Sequence, residues 1–148
     1  MKHFILRTLW FWCFFYLLLT APKLAWVCLG LHLIADFCLQ GCLANMKQKS
    51  WWEEQFEKFN VDEKHRELYK GDWEVGLYCH AMMWSIITFF PLMFLVNSTI
   101  FSFIIVANMF IHRVVDDLKA NEKIFSLFND QVMHFLQVMI TVYIVLST

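Results

Sequence analysis

The chain has 148 residues, of which 59% are hydrophobic and 18% aromatic, and its formal net charge is −1. A soluble domain of this length cannot bury so much apolar surface, because soluble proteins are only about 45–50% apolar. The net charge says nothing about nucleic acid, and no basic stripe supports such a partner, so none is predicted. With 4 glycines and 2 prolines, the composition favours helices over strands and predicts an all-α integral membrane protein.

Five apolar stretches are predicted to be transmembrane helices, since each is close to the roughly 20 residues that cross a bilayer core of about 30 Å. They cover about residues 4–20, 24–45, 76–96, 99–118 and 124–146. The first stretch is interpreted as a short span and not as a cleaved signal peptide, because small residues of the Ala-x-Ala type are missing and Pro22 begins the next helix. The predicted fold is a polytopic membrane helix bundle, a single domain over 1–148.

Residues 46–75 form the only polar stretch of any length and are predicted to be a short helical segment at the cytoplasmic face. Trp52, Phe56 and Phe59 recur with helical spacing opposite a row of glutamates, which is typical of an amphipathic helix at a membrane surface. A second short helix is predicted to end at Gly71. About thirty residues are too few for an independent domain with its own core.

The distribution of basic residues predicts the orientation in the membrane. With five spans, eleven of the twelve Lys and Arg residues fall on one side and only Lys23 falls on the other. Because cytoplasmic loops are enriched in Lys and Arg, the amino terminus is predicted to be cytoplasmic and the carboxyl terminus to be outside. Without a crossing at 4–20 the split would be nine to three, which makes the five-span arrangement the better prediction.

Polar side chains recur on one face of three of the predicted spans. Asp36 and Gln40 lie at about 40° and 80° from His32 around a helix of roughly 100° per residue. An ionisable group in lipid costs about 2.5–3.5 kcal/mol on insertion scales, so such residues usually face a protein interior. The three polar sets are His32, Asp36 and Gln40; Asn108, His112, Asp116 and Lys119; and Asp130, His134, Gln137 and Thr141.

Each polar set contains an acid and a histidine four residues apart, and the topology places all three pairs in the cytoplasmic half of the membrane. Imidazole and carboxylate ligands together suit Zn²⁺, Mn²⁺ or Fe²⁺, as one ion or two. A divalent cation would also compensate the buried carboxylates. The predicted metal ligands are His32, Asp36, His112, Asp116, Asp130 and His134.

A metal ion with an open position would activate water, which predicts a metal-dependent hydrolase or a related lipid-modifying enzyme. Lys119 or Gln40 would orient a lipid-like or phosphate-bearing substrate. His80 lies at a similar depth and is included among the predicted catalytic residues, although packing or support of a metal ligand explains a lone histidine equally well.

Three other interpretations stay open. The acid–histidine pairs could be hydrogen bonds that fix helix packing. Polar stripes also mark ion or proton pathways, although this stripe is confined to one half of the bilayer. A non-enzymatic effector could act on a membrane complex of the host through residues 46–75. Apolar surfaces that face lipid or protein look alike, so a homo-oligomer or a membrane-protein partner fits as well as lipid alone.

Four motifs carry a family resemblance: HLIADFCLQ at 32–40, the lone His80, NMFIHRVVDDLK at 108–119 and DQVMH at 130–134. In this pattern of HxxxDxxxQ, NxxxHxxxDxxK and DQxxH the chain resembles domain-of-unknown-function family 3307, small membrane proteins of bacteria and their phages. The resemblance implies that these polar positions act together in the cytoplasmic membrane of a bacterium. For a phage protein this would be the membrane of the host. It implies no particular activity, and residues 1–23 look like an additional span.

Overall fold

A computed structural model describes residues 22–147, and all regular structure in that part of the chain is helical. The helices are α1 (Lys23–Leu33), α2 (Leu43–Met46), α3 (Lys49–Lys58), α4 (Glu63–Tyr69), α5 (Asp72–Phe89), α6 (Ser98–Ala120) and α7 (Leu127–Ser147). A π-helical turn, Ile34–Cys38, continues α1, and a 3-10 turn, Phe90–Phe94, continues α5. The all-α prediction is confirmed for the described residues.

Three helical stretches of the described chain are long and apolar enough to cross a membrane, namely Glu63–Phe94, Ser98–Ala120 and Leu127–Ser147. They correspond to the three predicted spans in the second half of the sequence. Their outer faces carry large apolar side chains, such as Phe103 at 74% exposure and Phe110 at 50%. Soluble monomers rarely expose apolar surface on this scale, whereas a lipid environment favours it.

The other two predicted spans have different outcomes. The stretch 4–20 lies outside the described residues. The stretch 24–45 is not one continuous helix, because α1 and its π-helical turn end at Cys38 and α2 begins only at Leu43. Gly41, with φ of 49°, makes the intervening turn. The helical part is therefore shorter than the roughly 20 residues of a full span. Within residues 22–147 the structure supports three spans, whereas the sequence predicts four in that part of the chain.

The polar loops meet at one end of the bundle. The side-chain amide of Asn121 donates to the carbonyl oxygen of Lys47 at 3.1 Å, and the backbone N–H of Lys49 donates to Oδ1 of Asn121 at 2.8 Å. The ammonium of Lys49 also lies 4.3 Å from the centroid of the Trp73 ring. The segment after α1, the start of α5 and the turn after α6 therefore share this end, which we call the polar end.

Helix α5 is central to the packing. It contacts α1, α2 and α6, while α7 packs against α1 and α6. The apolar core between these helices includes Cys28, Trp84, Ile105 and Val138, all of them buried. Because α1, α5, α6 and α7 enclose this core, polar side chains on their inner faces are held close together.

Gly76 allows α2 to lie against α5. A Cβ atom at Gly76 would stand 2.7 Å from the carbonyl oxygen of Met46, a backbone atom that cannot rotate away. We expect Gly76→Ala to lower the free energy of unfolding by about 1–3 kcal/mol because α2 must move outward. Thermal unfolding in detergent measures the change.

The matched control is Gly30→Ala in α1, where an added Cβ meets nothing within 4 Å. Alanine is the better helix former, so this change is expected to be neutral or to stabilise by up to about 1 kcal/mol. Equal unfolding temperatures for the two variants would contradict the close approach at Gly76.

Candidate metal centre

A cluster of buried ionisable side chains lies where α1, α5, α6 and α7 meet. In the described residues it comprises His32, His80, His112, His134, Asp36, Asp116 and Asp130, and none of them is more than 4% exposed. The structure therefore brings together all six residues that the sequence predicted as metal ligands, with His80 as a seventh member. Their ligand atoms form two groups, and His32 belongs to neither, which differs from the prediction.

Four side chains of the cluster, Asp36, His80, His112 and Asp116, offer ligand atoms that all lie within 4.8 Å of one another. Nε2 of His80 lies 3.1 Å from Oδ2 of Asp116 and 3.5 Å from Oδ1 of Asp36. Nε2 of His112 lies 3.2 Å from Nε2 of His80 and 3.7 Å from Oδ2 of Asp116. Ligands at about 2.0–2.1 Å from a tetrahedral cation are about 3.3–3.4 Å apart, so these spacings fit one small divalent ion.

The surroundings of a single atom, Nε2 of His80, also favour a cation. This nitrogen faces two carboxylate oxygens, from Asp36 and Asp116, and the Nε2 of His112. One N–H bond is directional and can point at only one of these three atoms. A cation between them would instead contact all four atoms at once.

A second group, Asp36, Asp130 and His134, also has ligand atoms within 4.8 Å of one another. It is connected to the first group through Nδ1 of His112, which lies 3.1 Å from Nδ1 of His134. A neutral imidazole carries one proton, on one of its two nitrogens. If Nε2 of His112 binds a cation, its proton is on Nδ1 and is donated to His134.

Nδ1 of His134 then accepts this hydrogen bond, so the proton of His134 is on Nε2. That nitrogen lies 3.3 Å from both Oδ1 of Asp116 and Oδ1 of Asp130. In this arrangement His134 donates its one N–H to one of these carboxylates and cannot bind a metal ion through Nε2. With both imidazoles neutral, metal binding by the first group therefore excludes metal binding by the second. The hydrogen bond between His112 and His134 thus limits the cluster to one ion.

Two lysines compensate part of the negative charge. Nζ of Lys47 lies 2.6 Å from Oδ2 of Asp116, and Nζ of Lys119 lies 2.8 Å from Oδ2 of Asp130. The side chain of Lys47 is 9% exposed and that of Lys119 is 32% exposed. Three carboxylates against two ammonium groups leave one negative charge if the histidines are neutral, which a divalent cation would more than compensate.

His32 lies outside both groups of ligand atoms. Nε1 of Trp84 donates to Nδ1 of His32 at 2.8 Å, and Nε2 of His32 lies 3.1 Å from Oε1 of Gln131. Both ring nitrogens are thus already engaged. Gln131 donates in turn to Oδ2 of Asp36 at 2.8 Å, so His32 and Gln131 together hold the Asp36 carboxylate in place.

The remaining predicted residues take local roles. Nε2 of Gln40 donates to the backbone oxygen of Asp36 and so closes the end of the π-helical turn. Deeper in the bundle, Oδ1 of Asn108 accepts from Gln137 at 2.9 Å and from Thr141 at 3.1 Å. These contacts join α6 to α7. Asn108, Gln137 and Thr141 therefore fix helix packing, one of the roles that the sequence analysis considered for polar residues in the spans.

Besides Gln131, two residues of the site have no place among the predicted ligands or catalytic residues. Trp84 stacks on His112, with ring centroids 3.9 Å apart and an interplanar angle of 14°. Its position four residues after His80 puts it on the same helix face, a signal that was available in the sequence. Lys47 follows the predicted end of the membrane stretch and belongs to no periodic pattern. Only the fold shows that it returns to Asp116.

Comparison with known proteins assigns no family to this chain. No model of a known protein family matches it, and no similarity to a curated protein or to a solved structure is detected. Its resemblance to domain-of-unknown-function family 3307 stays a prediction. The chain is thus a helical protein whose described part, residues 22–147, contains three candidate membrane spans and a buried His/Asp cluster able to hold a metal ion.

Proposed function

We propose that this protein is an integral membrane enzyme that uses one divalent metal ion to hydrolyse a phosphate-bearing lipid. The observation that carries the proposal is the set of four buried ligand atoms, from Asp36, His80, His112 and Asp116, within 4.8 Å of one another. Mixed nitrogen and oxygen ligands suit Zn²⁺, Mn²⁺ and Fe²⁺.

The number of protein ligands narrows the choice of metal. Four protein ligands complete a tetrahedral Zn²⁺ site, whereas catalytic sites keep a position open. A six-coordinate ion such as Mn²⁺ or Fe²⁺ would keep positions for water and substrate beside the same four ligands. Catalysis in this cluster therefore favours Mn²⁺ or Fe²⁺ over Zn²⁺.

The ion would supply Lewis acidity and activate water for hydrolysis. Asp130 and His134 would fix the proton position on His112, as carboxylates and hydrogen-bonded partners behind metal ligands commonly do. Lys47 and Lys119 would hold the negative charge of a phosphate through charge-assisted hydrogen bonds. Both lysines reach the cluster from the polar end, where a lipid headgroup would enter.

The proposed location is the cytoplasmic membrane of a bacterium, with the polar end in the cytoplasm. The concentration of Lys and Arg residues at that end supports this orientation. The indole rings of Trp51 and Trp52, with centroids 5.1 Å apart, and of Trp73 near Lys49 supply the aromatic side chains typical of a membrane interface.

Metal content tests the proposal. We expect the purified protein, reconstituted with Mn²⁺, Fe²⁺ or Zn²⁺ and freed of excess metal, to retain about one ion per chain, and His112→Ala to retain less than about a tenth of that. His112 supplies a ligand atom and is fully buried. Elemental analysis by mass spectrometry measures the metal.

The control is His65→Ala, since His65 is exposed on α4, where it pairs with Asp62 and stacks on Tyr69, far from the metal ligands in sequence. It should retain the metal content of the unaltered protein. Unaltered protein that retains no metal, or His112→Ala with full occupancy, would overturn the proposal.

One observation favours a second function, a proton relay. His112 contacts His80 and His134 through different ring nitrogens, at 3.2 Å and 3.1 Å, which forms a chain of imidazoles across three helices. Such chains occur in proton-conducting membrane proteins. The nearby ammonium groups of Lys47 and Lys119 oppose the passage of a positive charge, which favours the enzyme. In liposomes a relay would dissipate an imposed pH gradient, and a hydrolase would leave it intact.

A further inference from the structure

An apolar groove lies along α5 and α6, and no residue of the metal cluster lines it. It has a volume of about 630 Å³ and its lining includes Tyr78, Cys79, Met82, Met83, Ile86 and Met109. From Tyr78 to Ile86 the groove follows α5 for about 12 Å at 1.5 Å per residue. Its length along α5 and its apolar lining suit an acyl chain that lies parallel to the helices.

Charged side chains stand at the Tyr78 end of the groove. The guanidinium of Arg113 lies 5.1 Å from the centroid of the Tyr78 ring. Its two terminal nitrogens lie 3.9 Å from Glu74 and 3.8 Å from Asp117, which is longer than a hydrogen bond. Nε of Arg113 is buried and has no hydrogen-bond partner among residues 22–147.

Oδ1 of Asp117 accepts from the side-chain amide of Asn121 at 2.8 Å, while its Oδ2 lies near Arg113. Because a carboxylate can accept about four hydrogen bonds, this end of the groove offers one cation with unused donors and two carboxylates with acceptor positions to spare. A guanidinium matches a phosphate through paired hydrogen bonds. Two carboxylates beside it attract an ammonium group and repel a headgroup that carries only negative charge. The combination is complementary to a zwitterionic headgroup with a phosphate and a primary ammonium.

We propose that α5 and α6 bind one phosphatidylethanolamine molecule through this groove. An acyl chain lies along Met82 and Ile86, the phosphate binds Arg113, and the ammonium binds Glu74 and Asp117. None of these residues offers a ligand atom to the metal cluster, so the lipid site is independent of the proposed hydrolase activity.

Native mass spectrometry of the detergent-solubilised full chain tests the lipid site, with dioleoyl phosphatidylethanolamine and dioleoyl phosphatidylglycerol as probes. We expect the ethanolamine lipid to bind at least about tenfold more tightly than the glycerol lipid, a difference of about 1.4 kcal/mol. Arg113→Met should abolish this preference, while Lys123→Met, a basic residue in the turn at the same end, should keep it. Glycerophosphoethanolamine, which has the headgroup but no acyl chains, should not compete.

A second variant covers the event that Arg113→Met fails to fold. Cys79→Trp fills the groove and should reduce binding of the ethanolamine lipid by about tenfold. Phe103→Trp, on the 74% exposed outer face of α6, should leave binding unchanged. Equal affinity for the two lipids would mean binding of bulk lipid only and would overturn the proposal. So would unchanged binding to Cys79→Trp, or a groove that retains no lipid because a protein segment fills it.

Metal content measured on the same samples separates this proposal from the proposed function. Both groove variants keep all four ligand side chains and should retain the metal of the unaltered protein. Selective lipid binding by a protein that holds no metal would support the lipid site and contradict the proposed function. Metal binding without a lipid preference would support the metal centre and contradict the lipid site.

Discussion

Asp116→Asn is expected to lower the free energy of unfolding by about 3–5 kcal/mol, because removing one partner of a buried ion pair leaves the other charge without compensation. Asp116 is 1% exposed, and its Oδ2 lies 2.6 Å from the ammonium of Lys47. The same carboxylate also faces His80 and His134 at 3.1 Å and 3.3 Å. Chemical denaturation in detergent with a chelator present measures this loss without a contribution from bound metal.

The double variant Asp116→Asn/Lys47→Met provides the sharper measurement. Removing both charges should recover at least about 1 kcal/mol of the loss from Asp116→Asn alone, since no unpaired ammonium then stays buried. The control pair is Lys49 with Glu122, 3.4 Å apart and with side chains 46% and 51% exposed. Exposed pairs contribute about 0–1 kcal/mol. Additive effects at Lys47 and Asp116, like those at the surface pair, would show that the buried pair is not coupled.

Trp84→Ala is expected to destabilise the fold by about 3–5 kcal/mol, as is usual for a buried tryptophan. Trp84 is fully buried, its ring stacks on His112 at 3.9 Å, and its indole N–H donates to His32 at 2.8 Å. The cavity left by alanine would free both histidine rings. Thermal unfolding in detergent measures the cost.

Trp84→Phe separates the two contributions of this side chain. Phenylalanine keeps an aromatic ring near His112 but cannot donate to His32, so the cost should be about 1–3 kcal/mol, the range for a buried acceptor without its donor. Trp26→Ala is the surface control, because Trp26 is 49% exposed. A phenylalanine variant as unstable as the alanine variant would show that the indole hydrogen bond dominates.

The three spans in the second half of the sequence could be predicted because apolar runs of sufficient length are separated by clear polar turns. The break in the helix after Cys38 could not be predicted in this way. The segment from Leu39 to Gly41 contains one glycine and no proline, and it lies inside a largely apolar run. A π-helical turn depends on what the helix packs against, and local composition carries little trace of it.

The candidate site could be predicted in part for a similar reason. Helical periodicity assigns a residue to a face, so the polar faces of α1, α6 and α7 were placed correctly toward one another. Periodicity does not select partners across helices. The spacing paired Asp36 with His32. In the fold, Oδ1 of Asp36 instead lies 3.5 Å from Nε2 of His80, and Nδ1 of His32 accepts from Nε1 of Trp84 at 2.8 Å.

The π-helical turn at Ile34–Cys38 makes the metal centre depend on the exact number of residues in this stretch of the chain. This turn holds one residue more than an α-helical turn would. Deleting one residue ahead of Asp36 would let the backbone close as an ordinary α-helix with Asp36 three residues after His32 instead of four, and the Asp36 carboxylate would shift away from His80. Exchanges between apolar side chains on the lipid-facing side of α1 would leave that carboxylate where it is. This stretch of the protein should therefore tolerate substitutions much better than gaps.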